Sequence, residues 1–302
     1  MANSSAIVTT IKYFLRFMPD KEYIKLYYYY RFRKHINLRK PVTFSEKLNW
    51  LKLYDRNPKY KYMVDKYEAK FYVEKLIGGQ YIIPTLGVWD SFDEINFDEL
   101  PQSFVLKCTH DSNGVVIVKD KSRLNIPLAR KKIKSCMSRN FYYIGREWPY
   151  KDIKPRIIAE KYMEDSADGE LRDYKFFCFD GKPKLLLLAS GRATNNLRFD
   201  YYDMNYNHLN IVQDHPNSEI YIHPPKNFEL MKTIARKLSE DMVHARIDFY
   251  EVDGNVYFGE ITLYHHSGFA KYEPSEWDKT IGDWIDLKSF CSIRRGVKDG
   301  KS

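Results

Sequence analysis

Residues 245–262 constrain the fold of this chain more than any other stretch. Two runs of alternating apolar and polar residues flank Asp253-Gly254, which predicts a β-hairpin with one acidic residue on each strand. Because side chains alternate between the faces of a strand, the loop length decides whether the acids meet. A two-residue loop places Asp248 opposite Gly259, whereas a three-residue loop places it opposite Glu260, with Asn255 in the left-handed conformation. We expect the three-residue loop.

In that register Arg246, Asp248, Glu260 and Thr262 share one face of the hairpin. Two carboxylates on a rigid sheet suit a hard cation such as Mg²⁺, which proteins commonly bind through one or two carboxylates together with nucleotide phosphates. The hairpin therefore predicts a nucleotide-using enzyme. A hairpin whose acids merely face solvent is the alternative, and the hairpin alone does not decide between them.

The positive charge of the chain is concentrated at its N-terminal end. The net charge is +9, and residues 1–72 hold 16 Lys and Arg against six Asp and Glu. Such a segment predicts an acidic neighbour, namely anionic lipid, nucleic acid or an anionic polymer, although a solvated helical face is the simpler alternative. No zinc-finger or RRM signature favours nucleic acid. Residues 6–33 are expected to form an amphipathic helical arm that packs on the protein or lies on a membrane surface.

The cysteine pattern and the hydropathy predict a cytoplasmic protein. Cys108, Cys136, Cys178 and Cys291 are isolated in the sequence, which indicates neither a disulfide framework nor a zinc site. No apolar run approaches the length of a membrane span, and the apolar run of residues 6–10 is too short for a signal peptide.

Periodicity predicts an α+β protein built of antiparallel hairpins with interspersed helices. Thr43 or Ser45 is expected to cap the first helix, with Glu46 in its acidic first turn. The predicted helices cover residues 43–53, 62–76, 126–140 and 227–243. The predicted strands cover residues 81–84, 104–108, 114–118, 157–162, 174–179 and 183–189.

Three further motifs carry charge or apolar surface that suits a nucleotide. Lys107 ends a strand before a polar loop that holds His110, Ser112, Asn113 and Gly114, so its ammonium and the loop amides can bind phosphates, although the Walker A spacing is absent. Taken singly, a strand-end lysine is more often solvated.

The stretch Glu160-Lys161-Tyr162-Met163 leaves a strand with backbone groups for an adenine edge and apolar side chains for its wall. Lys175 and Arg192, at the ends of neighbouring strands, supply cations for phosphate or for a carboxylate substrate. An ordinary core strand and surface ion pairs are the simpler readings of these two motifs.

In this order, the elements resemble the ATP-grasp superfamily, and more closely the TupA-like ATP-grasp family, which is associated with teichuronopeptide and other bacterial surface polysaccharides. The resemblance covers about residues 38–287, and the ordered set is more specific than any single piece. It is carried by Lys40 to Lys52, Asp65-Lys66-Tyr67, Phe104 to Lys107, Gly145-Arg146-Glu147-Trp148, Asp173 to Phe177 and Phe258 to Thr262.

The resemblance implies an ATP-grasp fold, in which two antiparallel α+β subdomains clamp ATP, preceded by a helical N-terminal region. It implies that a carboxylate is phosphorylated by ATP to an acylphosphate, which an amine then attacks. Mg²⁺ would be held by Asp248, Glu260 and Thr262, the last standing where many ATP-grasp enzymes place Asn. The implied catalytic residues are Lys175, Arg192 and Arg246, and the implied ATP-binding residues are Lys66, Lys107, His110, Ser112, Asn113, Gly114, Glu160, Lys161, Tyr162 and Met163.

We therefore expect a cytoplasmic, ATP- and Mg²⁺-dependent carboxylate–amine ligase that joins an amino acid to a uronic-acid sugar or polymer precursor. The basic segment would contact the inner membrane or lipid-linked intermediates, and no nucleic acid is expected as a partner. A glycosyltransferase, an ATP-grasp kinase and an inactive binding scaffold are the alternatives. The expected divisions are a basic helical region (1–60), a pre-ATP-grasp segment (61–100), a lid (101–165), a C-terminal subdomain with the metal site (166–290) and a tail (291–302).

Overall fold

A computed structural model describes residues 14–111, 114–166, 169–192, 194 and 196–287 of the chain. Two antiparallel sheets and the helices packed on them form the described part, so the predicted α+β class is confirmed. Ser112, Asn113, Cys291 and the predicted tail lie outside the described residues, as do residues 6–13 of the predicted arm.

The first sheet has four strands in the order β1-β4-β2-β3. Leu106 and Cys108 point from β2 into a small core formed with the helix that follows β3, and Lys107 between them points to the opposite face. Helix α5 covers the apolar face with Ala129 and Ile133. The elements are β1 Thr85–Trp89, β2 Phe104–Cys108, β3 Val115–Val118, β4 Ile157–Lys161 and α5 Ile126–Met137.

The second sheet has six strands in the order β10-β9-β5-β6-β7-β8 and holds the larger core. One face is covered by helix α7, whose Phe228 ring lies 5.8 Å from the ring of Phe176 on β5. The opposite face carries Lys175, Arg246 and Asp248. The elements are β5 Asp173–Phe179, β6 Lys182–Ser190, β7 Arg198–Tyr202, β8 His208–Leu209, β9 His244–Val252, β10 Asn255–Thr262 and α7 Phe228–Leu238.

Further helices precede, link and follow the two sheets. Thr43 caps α2 in a capping box with Glu46, as predicted. The single helix predicted over residues 62–76 is wrong: the backbone of Asp65 is extended, and its Oδ1 accepts the amides of Tyr67 and Glu68, which starts a new helix. The helices are α1 Asp20–Phe32, α2 Phe44–Tyr54, α3 Tyr60–Val64, α4 Glu68–Ile77, α6 Tyr142–Gly145 and α8 Glu276–Asp283.

Smaller differences concern element ends and the region after β6. The strand predicted over residues 81–84 is reduced to a bridge at Ile82, and β1 begins only after Pro84. Helix α5 ends at Met137 and α7 at Leu238, earlier than predicted. Strands β7 and β8 and helix α8 were not predicted, because their residues show no clean period.

The hairpin of β9 and β10 pairs Asp248 with Glu260, but not through the predicted loop. Asp253 and Gly254 both have positive φ (50° and 75°), so the turn has two residues and Asn255 pairs with Val252. The three-residue loop is therefore wrong. The register instead shifts by one residue at a β-bulge between Phe258 and Glu260.

The residue in that bulge is Gly259. A Cβ at this position would lie 3.1 Å from the Tyr250 ring and 3.2 Å from the carbonyl oxygen of Asp248, so a larger residue would crowd the hairpin. Glycine thus permits the shift that brings Asp248 and Glu260 to the same face of the sheet.

Candidate active site

The face of the β9–β10 hairpin gathers three oxygen-bearing side chains around one guanidinium. Arg246 Nη2 lies 2.7 Å from Asp248 Oδ2, 2.9 Å from Glu260 Oε1 and 3.0 Å from Thr262 Oγ1. Its Nε donates a second bond to Asp248 Oδ1 at 2.7 Å, which makes the Arg246–Asp248 contact bidentate. Burial would lower the pKa of Arg246, but the adjacent carboxylates raise it above its ordinary value, so the side chain is a fixed cation.

Lysine and arginine from the neighbouring strands extend this charged face. Lys175 Nζ lies 2.6 Å from Asp248 Oδ2 and 3.4 Å from Asp173 Oδ2. Arg192 Nη2 lies 2.6 Å from the same oxygen of Asp173, and its side chain is half exposed. The predicted catalytic residues Lys175, Arg192 and Arg246 are therefore brought together on one face.

A chain of buried hydrogen bonds fixes the guanidinium nitrogen of Arg246 that does not contact Asp248. Its Nη1 donates to His265 Nδ1 at 2.9 Å, so the ring is neutral and its Nε2–H faces Gln213 Oε1, also at 2.9 Å. Tyr201 donates its hydroxyl to the same oxygen of Gln213 at 2.7 Å. Burial lowers the pKa of His265 far below its ordinary value, which keeps the ring an acceptor for Arg246. His266, next in sequence, turns away and contacts Asp214.

The predicted phosphate and adenine residues of the first sheet meet in a buried ion cluster. Glu160 Oε2 lies 2.5 Å from Lys107 Nζ, and its Oε1 lies 2.6 Å from Lys70 Nζ. Burial would raise the pKa of Glu160, but the two lysines lower it below its ordinary value. Because the carboxylate is committed to lysines, an adenine contact at this position would have to come from backbone groups.

Sequence reasoning missed Lys70, although it leaves a signal. It lies on the apolar stripe of α4 with Val73 and Ile77, where a lysine needs a buried partner. Its ammonium also donates to the carbonyl of Ile83 at 2.7 Å and to the Thr85 hydroxyl at 2.9 Å.

Lys66 is hydrogen-bonded to the loop after β2, and its charge acts on Glu260 of the hairpin. Its Nζ donates to the carbonyl of Asp111 at 2.7 Å, and its amide donates to the carbonyl of Thr109 at 3.0 Å. Burial would raise the pKa of Glu260, but the positive charges of Lys66 and Arg246 lower it to about 2. Glu260 is therefore ionised at neutral pH, with 38% of its side chain exposed.

Two loop residues that were predicted to bind phosphate, His110 and Gly114, are packed inside the protein. The His110 ring is buried, and its Nε2–H faces the carbonyl of Arg139 at 3.1 Å. A Cβ on Gly114 would lie 2.3 Å from Cys136 Sγ and 2.7 Å from Cys108 Sγ, so close packing against two buried thiols requires glycine there. A contact of these two residues with a ligand would therefore have to come from their backbone groups.

At and after the end of β4, Lys161 and Tyr162 make local contacts and Met163 reaches the second sheet. Lys161 is exposed, and its amide donates to the carbonyl of Pro84 at 3.0 Å. The half-buried Tyr162 donates its hydroxyl to Glu164 at 2.8 Å. Met163 is buried against Ile83 and the hairpin residue Val252, which gives an apolar wall beside the charged face.

Glu147, to which the sequence analysis gave no role in the site, lies close to Glu260 and Arg246. Glu147 is 5% exposed, and its Oε1 accepts the Ser267 hydroxyl at 2.5 Å. Burial raises the pKa of Glu147 to about 7, with the charge of Glu260 acting in the same direction. The buried Lys52 ammonium joins the carbonyls of Gly145 and Ser267, at 2.7 Å each, and so fixes the two segments together.

The oxygen donors of the hairpin fit Mg²⁺ in their chemistry. Carboxylates of Asp248 and Glu260 and a hydroxyl of Thr262 are hard ligands, and they already surround a positively charged nitrogen. Among the residues that the structure describes, no group of three or more His, Cys, Asp or Glu side chains is placed to hold a metal ion. A magnesium ion here would thus complete its shell with water and phosphate oxygens, as is usual for this ion.

Comparison with known proteins gives one extensive sequence match and several distant structural similarities. The family profile described as TupA-like ATPgrasp matches residues 46–286. No match was found among curated proteins.

Similar solved structures include D-alanine–D-alanine ligase from Bacillus anthracis complexed with ATP (19% identity, 67% of this chain and 54% of that chain covered, TM-score 0.38). D-alanyl-alanine synthetase A from Vibrio cholerae O1 biovar eltor is also similar (13% identity, 72% and 57% covered, TM-score 0.41). A third is D-cycloserine synthetase DcsG (15% identity, 74% of each chain covered, TM-score 0.39). The chain spans 54% and 57% of the length of two Bacillus anthracis ligase structures that it matches.

Proposed function

Because the chain belongs to the TupA-like ATP-grasp family, we propose that it is an ATP- and Mg²⁺-dependent carboxylate–amine ligase. The family match confirms the family predicted from the sequence, and the two antiparallel sheets accord with its ATP-grasp fold. In this proposal residues 101–165 act as the lid and residues 166–290 as the subdomain with the metal site.

One observation carries the proposal: Asp248, Glu260 and Thr262 each place an oxygen within 3.0 Å of Nη2 of the fixed cation Arg246. Lys175 adds a second cation beside Asp248. A reaction between a carboxylate and a triphosphate brings negative charges together, and preorganised cations reduce that cost. Bound Mg²⁺ would screen the phosphate charge at the open side of Glu260. Lys107 and Lys70 would receive phosphate oxygens on the lid.

The proposed reaction balances without a covalent enzyme intermediate. A carboxylate oxygen of the substrate forms a bond to the γ-phosphorus as the bond to ADP breaks. The amine nitrogen then bonds to the acyl carbon, phosphate leaves, and the amine loses a proton. Arg246 would orient the carboxylate and stabilise the charge that builds on its oxygens, because it is itself held rigidly by Asp248 and His265.

The substrates we propose are a uronic-acid sugar or polymer precursor of a bacterial surface polysaccharide and an amino acid, with the reaction taking place in the cytoplasm. This finer assignment rests on the family resemblance and on the lysine and arginine side chains of the candidate site, which can pair with an anionic acceptor. The structure describes no helix long and apolar enough to cross a membrane.

Thermal shift with nucleotides tests the proposal. At about 100 times the dissociation constant, a ligand stabilises a protein by about 2.7 kcal/mol, which is roughly 4 °C for a chain of this size. We expect this shift with ATP and Mg²⁺, and we expect Glu260→Gln to remove its dependence on Mg²⁺. Glu229→Gln, at an exposed carboxylate of α7, is the matched control and should behave as wild type.

Product analysis then distinguishes a ligase from a glycosyltransferase or a kinase. ADP release is screened over amino acids with glucuronate and galacturonate, with hydroxylamine added to trap an acylphosphate as a hydroxamate. Stabilisation by UDP-sugars and not by ATP would favour a glycosyltransferase. ADP release that yields a stable phosphoester and needs no amine would favour a kinase.

A further inference from the structure

Helix α1 presents an outer face that combines exposed apolar rings with basic side chains. Leu26, Tyr29 and Tyr30 are 48%, 45% and 53% exposed, although large apolar side chains usually turn inward. Immediately before the helix, Phe14 and Phe17 are 78% and 84% exposed. We define the α1 outer face by seven exposed residues: Lys21, Glu22, Lys25, Leu26, Tyr29, Tyr30 and Arg33.

The opposite side of α1 is fixed to the protein, so the outer face cannot turn inward. Tyr23 is fully buried and donates its hydroxyl to the carbonyl of Ile144 at 2.8 Å. The ring of Tyr27 packs edge-on against Phe269 at 4.6 Å, and Arg31 Nε donates to the Phe269 carbonyl at 3.2 Å. Among the residues that the structure describes, the outer face therefore stays exposed.

We propose that the α1 outer face docks onto an anionic lipid bilayer. The partner is identified by charge complementarity: Lys21, Lys25 and Arg33 lie on the face and Lys34 follows it. The acidic residue of the face, Glu22, is paired with Lys25 at 2.9 Å, which leaves the face with a net positive charge. Basic side chains near an anionic bilayer each contribute to binding within a Debye length of its surface. Leu26 and the tyrosine rings have the mixed character of side chains that enter the headgroup region.

Docking would set the candidate active site beside the membrane. Phe269, which packs on the inner side of α1, lies two residues beyond Ser267, the partner of Glu147. His265, on the same short segment, holds Arg246. A bilayer against α1 would thus lie one helix away from the catalytic face, which suits a substrate carried on a lipid. The inference goes beyond the proposed activity, since it concerns lipid binding and needs no ligation.

Vesicle flotation of the full chain, without nucleotide, tests the inference. We expect binding to phosphatidylcholine vesicles that contain phosphatidylglycerol, weak binding to pure phosphatidylcholine, and a decrease with salt. Replacing Lys21, Lys25 and Lys34 by Gln removes three charges. At about 1 kcal/mol per charge, or roughly 5-fold, partitioning should fall by on the order of 100-fold. Arg33 is left in place because it has a left-handed backbone at the helix C-cap.

The matched control replaces Lys131, Lys132 and Lys237 by Gln, which removes the same charge from exposed helix positions elsewhere. A second variant, Leu26→Ser with Tyr30→Ser, should weaken the binding that remains at high salt. The inference is overturned by equal binding of the α1 triple variant and the control, by no binding of the wild type to anionic vesicles, or by polynucleotide displacing the protein from them. Each variant is also checked for its ATP-induced thermal shift, so that a failure of lipid binding is distinguished from a failure of nucleotide binding.

Discussion

Neutralising Glu160 should destabilise the free protein and strengthen the effect of ATP on it. Glu160→Gln keeps the shape of the side chain but leaves Lys70 and Lys107 without their shared carboxylate. The side chains of Glu160, Lys70 and Lys107 are 6%, 10% and 20% exposed, so the cluster is largely shielded from water. Removing one partner of a buried ion pair costs about 3 to 5 kcal/mol, and the partial exposure of Lys107 favours the lower end.

A loss of about 3 kcal/mol corresponds to roughly 5 °C in Tm for a chain of this length. Thermal melts without ligand measure it, and Glu164→Gln is the control, because its partner Lys119 is well exposed and surface pairs contribute about 0 to 1 kcal/mol. Added ATP should raise the Tm of Glu160→Gln by more than that of wild type. The reason is that phosphate oxygens would then replace the missing carboxylate between the two lysines.

The reverse result would refute this reasoning. If the Glu160 carboxylate itself binds adenine, Glu160→Gln should lose part of the ATP-induced shift. If the cluster is only structural, the variant should lose stability while its ATP-induced shift equals that of wild type. Both outcomes would remove Lys70 and Lys107 from the proposed phosphate site.

Two further predictions concern a buried histidine and a helix cap. His265 is 1% exposed and stays neutral in the folded protein because burial lowers its pKa, whereas the unfolded chain protonates this ring below about pH 6.5. The stability that this group contributes is therefore present above about pH 6.5 and is lost as the pH falls. In urea melts, the difference in unfolding free energy between wild type and His265→Gln should become smaller by about 1 kcal/mol from pH 6 to pH 5. An equal difference at the two pH values would contradict this prediction. Thr43→Ala should lower the unfolding free energy by about 1 kcal/mol in urea melts, because it removes the capping box with Glu46. Thr43→Ser keeps a hydroxyl and should not lower it. Equal losses of unfolding free energy in the two variants would rule out the cap.

The pairing of Asp248 with Glu260 was predicted correctly although its loop was not. Asp253 and Gly254 both adopt positive φ, which closes the shorter turn, and the bulge beside Gly259 then restores the pairing. Counting alternation along a strand cannot find a bulge, because the bulge is decided by contacts of the glycine with Tyr250 and the hairpin backbone.

The sequence predicts which charged residues lie on strands, but it does not predict which side chains they contact. Lys107 and Lys175 stand in apolar runs whose period identifies strands. Glu160 meets Lys70 only because α4, which is distant in sequence from β4, brings this lysine to Glu160 and to Thr85 of β1. Arg246 meets Gln213 through His265 only because β7 places Tyr201 beside them. Such contacts depend on tertiary packing, on which a local pattern gives no information.

The density of buried charge at this site is an argument for function rather than for stability. Desolvation of an ion pair offsets most of its attraction, so apolar residues of similar volume would hold the sheets together equally well or better. The chain nevertheless keeps six charged side chains in two clusters, one at each sheet, each side chain mostly buried and each balanced by a partner: Lys70, Lys107, Glu160, Lys175, Arg246 and Asp248. Balanced pairs allow the site to stay folded without a ligand, and they leave cations in place for a polyphosphate and carboxylates in place for a divalent ion. A site whose charged side chains leave their internal partners and pair with substrates has a physical reason to retain these charges. A purely structural core has no such reason.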